Sequence, residues 1–186
     1  MNNLSALERL VNIIVGKNTD LQPIVNRPTD DRIPHPTKIL TLIRGLPGSG
    51  KSELAHAIVA NQRDCLHFEM DHFFIDEKGE YKFDSNKIED SHLYCKNKTE
   101  KAMSLGCSQI VVSNCFIRLF QLTDYYDLAK KYDYVVQEIV CVAPFLDIHN
   151  IPFERYLTMK KYFQYHPRLL SQPPKELSYN ANYTTD

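Results

Sequence analysis

The stretch RGLPGSGKSEL, residues 44–54, constrains the fold of this chain more than any other. Gly45 and Gly50 are followed at once by Lys51 and Ser52, the spacing of a loop that cradles phosphate. Glycines let the backbone turn tightly and present N–H groups to phosphate oxygens without a Cβ in the way. A helix that begins at the end of the loop adds its N-terminal dipole. Such a loop needs a strand before it and a helix after it. KILTLI, residues 38–43, is a short apolar run that reads as the strand. In SELAHAIVANQ, Leu54, Ala55, Ile58 and Val59 recur at helical spacing. Gly45, Pro47, Gly48, Ser49, Gly50, Lys51 and Ser52 are therefore the expected phosphate-binding residues. Lys51 is placed to reach the β- and γ-phosphates, and Ser52 to ligate Mg²⁺.

The chain beyond the loop alternates between strand and helix signals. Residues 64–70 read as a second strand ending at Asp71. Residues 86–105 read as a helix whose apolar stripe holds Ile88, His92, Cys95, Thr99, Ala102 and Met103, with Gly106 as a left-handed stop. QIVVSN (109–114) and YDYVVQEIVCV (132–142) read as the third and fourth strands, and 121–131 and 152–164 as further helices. This order predicts an α/β fold: three layers around a mainly parallel sheet of about four or five strands, with strands buried on both faces.

Three segments follow. Residues 1–37 hold a helix over 4–15 and a proline-rich linker, 38–165 form the main domain, and 166–186 form a loose tail. A length of 186 residues suffices for one domain with a full core. The formal net charge of −1 gives no global basic excess of the kind nucleic-acid scaffolds carry. The five cysteines are odd in number and none pairs as C-x-x-C, which disfavours a zinc site or a disulfide framework. MNNLSALERL lacks the order of a signal peptide, and no apolar run is long enough to span a bilayer. The expected setting is cytoplasmic or nuclear, with no membrane partner.

Asp71 is the leading candidate for a catalytic group. In open α/β sheets ligands bind beyond the carboxyl ends of the strands. A carboxylate there can take the proton of an acceptor hydroxyl as its oxygen attacks phosphorus. It could equally hold a water on Mg²⁺, and a plain helix cap is the structural alternative.

At this point the chain resembles a family. GLPGSGKS, then Asp71 with Phe73 and Phe74, then GEYKFDSNKIEDSHLYCKNKTEKAM looks like the polynucleotide-kinase type of P-loop kinase, an ATP-binding P-loop NTPase. Within it, the chain is most similar to the AAA-like domain of the Nedd-four-binding-protein family. The resemblance runs from about Lys38 to about Phe163. It implies ATP as phosphate donor with Mg²⁺, Lys51 and Asp71 as catalytic residues, and Asp71 as base toward a 5′-hydroxyl. Phe73, Phe74, His92, Asn114, Arg118 and Arg155 are the candidate acceptor-side residues, and His92 also fits a core or pocket-wall role.

The sequence departs from the family at named positions. The family's second aspartate is His72 here. Where the third strand usually ends in Asp-Asn-Thr or Ser-Asp-Thr, this chain has Ser113-Asn114-Cys115, without the carboxylate of the Mg²⁺ shell. The arginine-bearing lid is shortened to VAPFLD, leaving Arg118, Arg155, Lys160 or Lys161 as substitutes. Two functions remain open on the sequence. One is a kinase acting on a polynucleotide 5′-end or a nucleotide-like acceptor. The other is a catalytically reduced ATP-binding module with a regulatory or interaction role. A groove lined by Arg118, Arg155 and Arg168 would suit nucleic acid. An aromatic pocket of Phe73, Phe74 and Tyr81 would suit a small molecule.

Overall fold

The computed structural model describes residues 38–62, 64–143 and 151–166. The expected helix at 4–15, the proline-rich linker, most of the VAPFLD segment and the tail from 167, Arg168 included, lie outside the described residues.

Four parallel strands form the sheet: β1 (Ile39–Gly45), β2 (Cys65–Phe68), β3 (Gln109–Ser113) and β4 (Val135–Cys141), in the order β2-β3-β1-β4. Helices α1 (Lys51–Asn61), α2 (Ile88–Ser104), α3 (Thr123–Tyr132) and α4 (Phe153–Tyr162) alternate with them. The sheet has a core on each face because side chains alternate along a strand. Leu40 and Leu42 of β1 with Ile110 and Val112 of β3 meet Cys95, Ala102 and Met103 of α2 and Leu128 and Ala129 of α3. On the other face Ile43 and Val111 meet Leu54 and Ala55 of α1. Each of the fully buried aliphatic side chains contributes roughly 1.5–3 kcal/mol relative to exposure. The result is the expected three-layer α/β fold.

The helix signal at α2 holds from Cys95 onward, while the expected stripe residues Ile88 and His92 are only half-buried. The buried stripe of α2 is Ser91, Cys95, Thr99, Ala102 and Met103. Its end is closed by Gly106 at φ 78°, with Gly106 N–H donating to Met103 O and Cys107 N–H to Ala102 O. That is a Schellman pair, satisfying two of the last carbonyls.

Two strand expectations need correction. Burial on both faces holds for β1 and β3 but not for β4, most of which is half-buried and whose Val135 is exposed, because β4 is a sheet edge. The second strand stops at Phe68, not at Asp71. Its ladder partner runs out there: Asn114 N–H turns to Ile43 O of β1, while its side-chain Oδ1 takes Met70 N–H at 2.8 Å. Freed from the ladder, Met70–Phe74 winds into a 3₁₀ turn, and Asp71 rides on that turn beyond the strand end.

Candidate active site

The glycine loop joins β1 to α1. Gly45 packs so closely against the end of β4 that a Cβ there would lie 2.5 Å from Cys141 O and 2.5 Å from Ser49 Oγ. Gly50, at φ 85°, is the N-cap of α1, a left-handed conformation that costs glycine little. Gly48 also has positive φ. Pro47 lies between these glycines, and Ser49 is buried with an Oγ that finds no partner among the described residues. The first-turn N–H groups of α1, from Lys51 onward, have no acceptor within the helix and open toward the loop. Lys51 Nζ donates to Leu46 O at 2.9 Å, folded back onto its own loop.

A carboxylate stands beside Ser52. Glu69, the first residue after β2, has Oε2 accepting from Ser52 Oγ at 2.9 Å and from Ser113 Oγ at 2.9 Å. Ser113 Oγ also meets His67 Nε2 at 2.7 Å. The one proton of the Ser113 hydroxyl goes to Glu69, so His67 is the donor in that contact. Burial lowers His67 to about 4, the charge of Glu69 opposing, so the ring is neutral near pH 7. His72 Nε2 lies 3.5 Å from the other Glu69 oxygen. Sequence reasoning missed His67, Glu69 and the part played by Ser113. The signal was present in DCLHFEM: His67 and Glu69 are two apart on an extended segment and so share a face.

Asp71 is exposed, and Tyr81 OH donates to its Oδ1 at 3.1 Å. A short hairpin through Gly79-Glu80-Tyr81-Lys82-Phe83 delivers Tyr81. Ile75 and Tyr81 form an antiparallel bridge, Lys82 N–H donates to Phe74 O, and Asp76 accepts from the N–H groups of Lys78 and Glu80. Burial and the charge of Asp71 together push the Tyr81 phenol up to about 12. Half-buried Cys115, just past β3, reports on the rest of the site. Burial raises its thiol, while the charges of Lys51 and Arg155 pull it down and Asp71 adds to the rise. Arg155 is exposed on α4, and its charge acts on the same thiol as those of Lys51 and Asp71.

The acceptor-side residues divide. Phe74 is buried among Phe73, Tyr81 and Phe83, and Phe73 packs toward Tyr94. With Asp76, Lys82 and Lys87 the two phenylalanines line a cavity of about 210 Å³. His92 lines a groove of about 390 Å³ with Phe116, Phe120 and Gln121, and is held below its ordinary pKa by burial, the charge of Asp71 opposing. Asn114 is not brought to the surface: it is buried, with its amide bonded to Met70 N–H and directed at Cys95 Sγ. The guanidinium of Arg118 lies over the Tyr162 ring at 4.6 Å.

Among the described residues no group of three or more His, Cys, Asp or Glu could hold a metal ion by itself. The donor set fits Mg²⁺ in another way. A hydroxyl and a carboxylate beside the glycine loop are hard oxygen donors of the kind that Mg²⁺ takes.

No family model matches the chain. Human NEDD4-binding protein 2 is 32% identical over 99 residues, 53% of this chain. The chain is similar to NEDD4-binding protein 2 over that stretch. The match spans only 6% of that relative's length. Among solved structures, a chain of the Pnkp1/Rnl/Hen1 RNA repair complex has a TM-score of 0.48 and 16% identity, covering 72% of this chain and 42% of that one. The Mycobacterium tuberculosis APS kinase CysC has 0.44 and 12%, covering 69% and 98%. Chaetomium thermophilum Kti12 with ADP-AlF3 has 0.41 and 16%, covering 69% and 74%. No helix among the described residues is long and apolar enough to cross a membrane.

Proposed function

We propose that this protein is an ATP-dependent kinase that transfers the γ-phosphate to a hydroxyl, that of a polynucleotide 5′-end or a nucleotide-like acceptor. The observation that carries the reading is the glycine loop running into α1, with Lys51 folded on the loop, Ser52 beside the Glu69 carboxylate and Asp71 on the turn just beyond β2. Lys51, Asp71 and Arg155 then supply the three charges phosphoryl transfer requires: a cation on the donor phosphates, a base for the acceptor and a cation for the charge on the transferring group.

The loop N–H groups and Lys51 hold the β- and γ-phosphates, Lys51 exchanging Leu46 O for a phosphate oxygen. Mg²⁺, when bound at Ser52, neutralises phosphate charge. Asp71, oriented by Tyr81, takes the acceptor proton as the acceptor oxygen bonds to the γ-phosphorus. The bond from that phosphorus to the bridging oxygen breaks, and ADP leaves with the electron pair. Arg155 offsets the charge spread over the equatorial oxygens, the task of the shortened lid.

The test is incubation with γ-labelled ATP and a panel of 5′-hydroxyl oligonucleotides and nucleosides, beside Asp71→Asn. Transfer by the wild type and not by the variant supports the kinase. Labelled nucleosides with unlabelled oligonucleotides assign a small-molecule acceptor. Tight ATP binding with no transfer to any acceptor overturns the reading in favour of a catalytically reduced module.

A further inference from the structure

We infer that the carboxylate of the Mg²⁺ shell has moved from the end of β3 to the end of β2, where Glu69 now supplies it. The inference rests on the reading of the loop as a nucleotide site.

A P-loop serine that ligates Mg²⁺ is ordinarily accompanied by a strand-end aspartate. In this chain the corresponding end of β3 carries Ser113, too short and uncharged for the task. The adjacent strand compensates. β2 pairs in parallel with β3, Phe68 opposite Val112, so the next residue on each strand emerges at the same edge of the sheet. Those residues are Glu69 and Ser113, joined by a 2.9 Å hydrogen bond. Glu69 has one more methylene than aspartate, and from the neighbouring strand it still reaches Ser52.

The hydrogen-bond directions agree with the role. Ser52 gives its proton to Glu69 and keeps its oxygen lone pairs for a cation. Ser113 gives its proton to the same oxygen and accepts from His67. Glu69 is thereby held in one rotamer, with a side chain only 14% exposed, before any cation arrives. A carboxylate fixed in advance loses little freedom on binding. Ser113 is a positioning residue: it stands at the end of β3 and orients the Glu69 carboxylate.

The test measures metal binding rather than turnover. Mn²⁺ is titrated into the full chain with ADP and followed by electron paramagnetic resonance, and ADP binding is measured separately in EDTA. Three proteins are compared: wild type, Glu69→Gln, and Glu69→Gln with Ser113→Asp. The amide variant should bind Mn²⁺ about 10–100-fold more weakly in the ADP complex. Its metal-free ADP binding should hold or tighten, since a negative charge near the phosphates is gone. The double variant, with a carboxylate returned to the end of β3, should regain most of the Mn²⁺ affinity. Should the amide fail to fold, Glu69→Ala with and without Ser113→Asp gives the same comparison.

Wild-type Mn²⁺ affinity in the single variant overturns the inference. So does a loss that Ser113→Asp does not repair and that metal-free ADP binding shares, because Glu69 would then only shape the loop. A wild type that binds no ADP overturns the proposed function itself.

Discussion

Tyr81 and Asp71 lie at opposite ends of a short excursion from the sheet and are joined by a 3.1 Å hydrogen bond from phenol to carboxylate. The 3₁₀ turn carries one and the hairpin the other, so each element fixes the other's functional side chain. Tyr81→Phe should leave the KM for ATP unchanged and lower kcat about tenfold, the worth of a hydrogen bond to a charged group. Ultraviolet titration supplies an independent check. Burial and Asp71 hold the Tyr81 phenol at about 12, so Asp71→Asn should bring its absorbance transition down toward the ordinary value near about 10. An unmoved transition would show that the two side chains are apart in solution.

Gly45 should tolerate no side chain. A Cβ there meets a backbone oxygen of β4, which cannot swing aside as a side chain can. Gly45→Ala should cost roughly 1–3 kcal/mol, read as a lower urea midpoint with unchanged slope. ADP should also bind more weakly, because relief of the clash displaces the start of the loop. Gly79→Ala is the contrasting control: nothing lies within 4 Å of that position, so only the strain of its φ of 81° remains.

Arg44 should hold α4 to the sheet. Its fully buried guanidinium donates to Glu138 at 3.0 Å, to Phe116 O at 2.6 Å and to Gln164 O at 2.7 Å, and lies over the Phe163 ring at 4.7 Å. Gln164 is bound twice more, to Ile117 O and Leu119 N–H. Arg44→Met leaves Glu138 largely buried without its cation and should destabilise the fold by about 3–5 kcal/mol. Adding Glu138→Gln should recover part of that loss. Hydrogen exchange over 153–166 should rise in Arg44→Met, and with it the position of Arg155 should loosen.

Acid should weaken the fold through His92. Burial lowers its folded pKa below the ordinary value near about 6.5, against the pull of Asp71. Below that pH the unfolded chain takes up a proton that the folded chain resists, so stability falls as pH drops and is full above it. Urea unfolding at pH 7.5, 6.5 and 5.5 should show the midpoint falling, and His92→Gln should flatten the slope in part, the buried His67 supplying the rest. Asp71→Asn removes the opposing charge and should lower the His92 pKa further, which an NMR titration of the ring reads directly.

By itself the sequence determined the glycine-loop half of the proposed site and the frame that holds it. Gly45 to Ser52 between a buried strand and an amphipathic helix is a local pattern, since contacts a few residues apart dictate it. The same holds for α2, whose stripe of Cys95, Thr99, Ala102 and Met103 and glycine stop are set by helical period and turn chemistry. Tertiary structure decided what the other half contains. Ser113 looked like a lost carboxylate because the reading ran along β3 alone; only the parallel pairing of β2 with β3 brings Glu69 to the same place. Asn114 looked like an acceptor-side residue until the end of the β2 ladder claimed its amide for Met70. Arg44 of β1 holds Gln164, 120 residues away in the chain, a contact that no local pattern carries. Local periodicity places residues on elements, but neighbours across a sheet are set by strand order, and that order is a property of the packed chain.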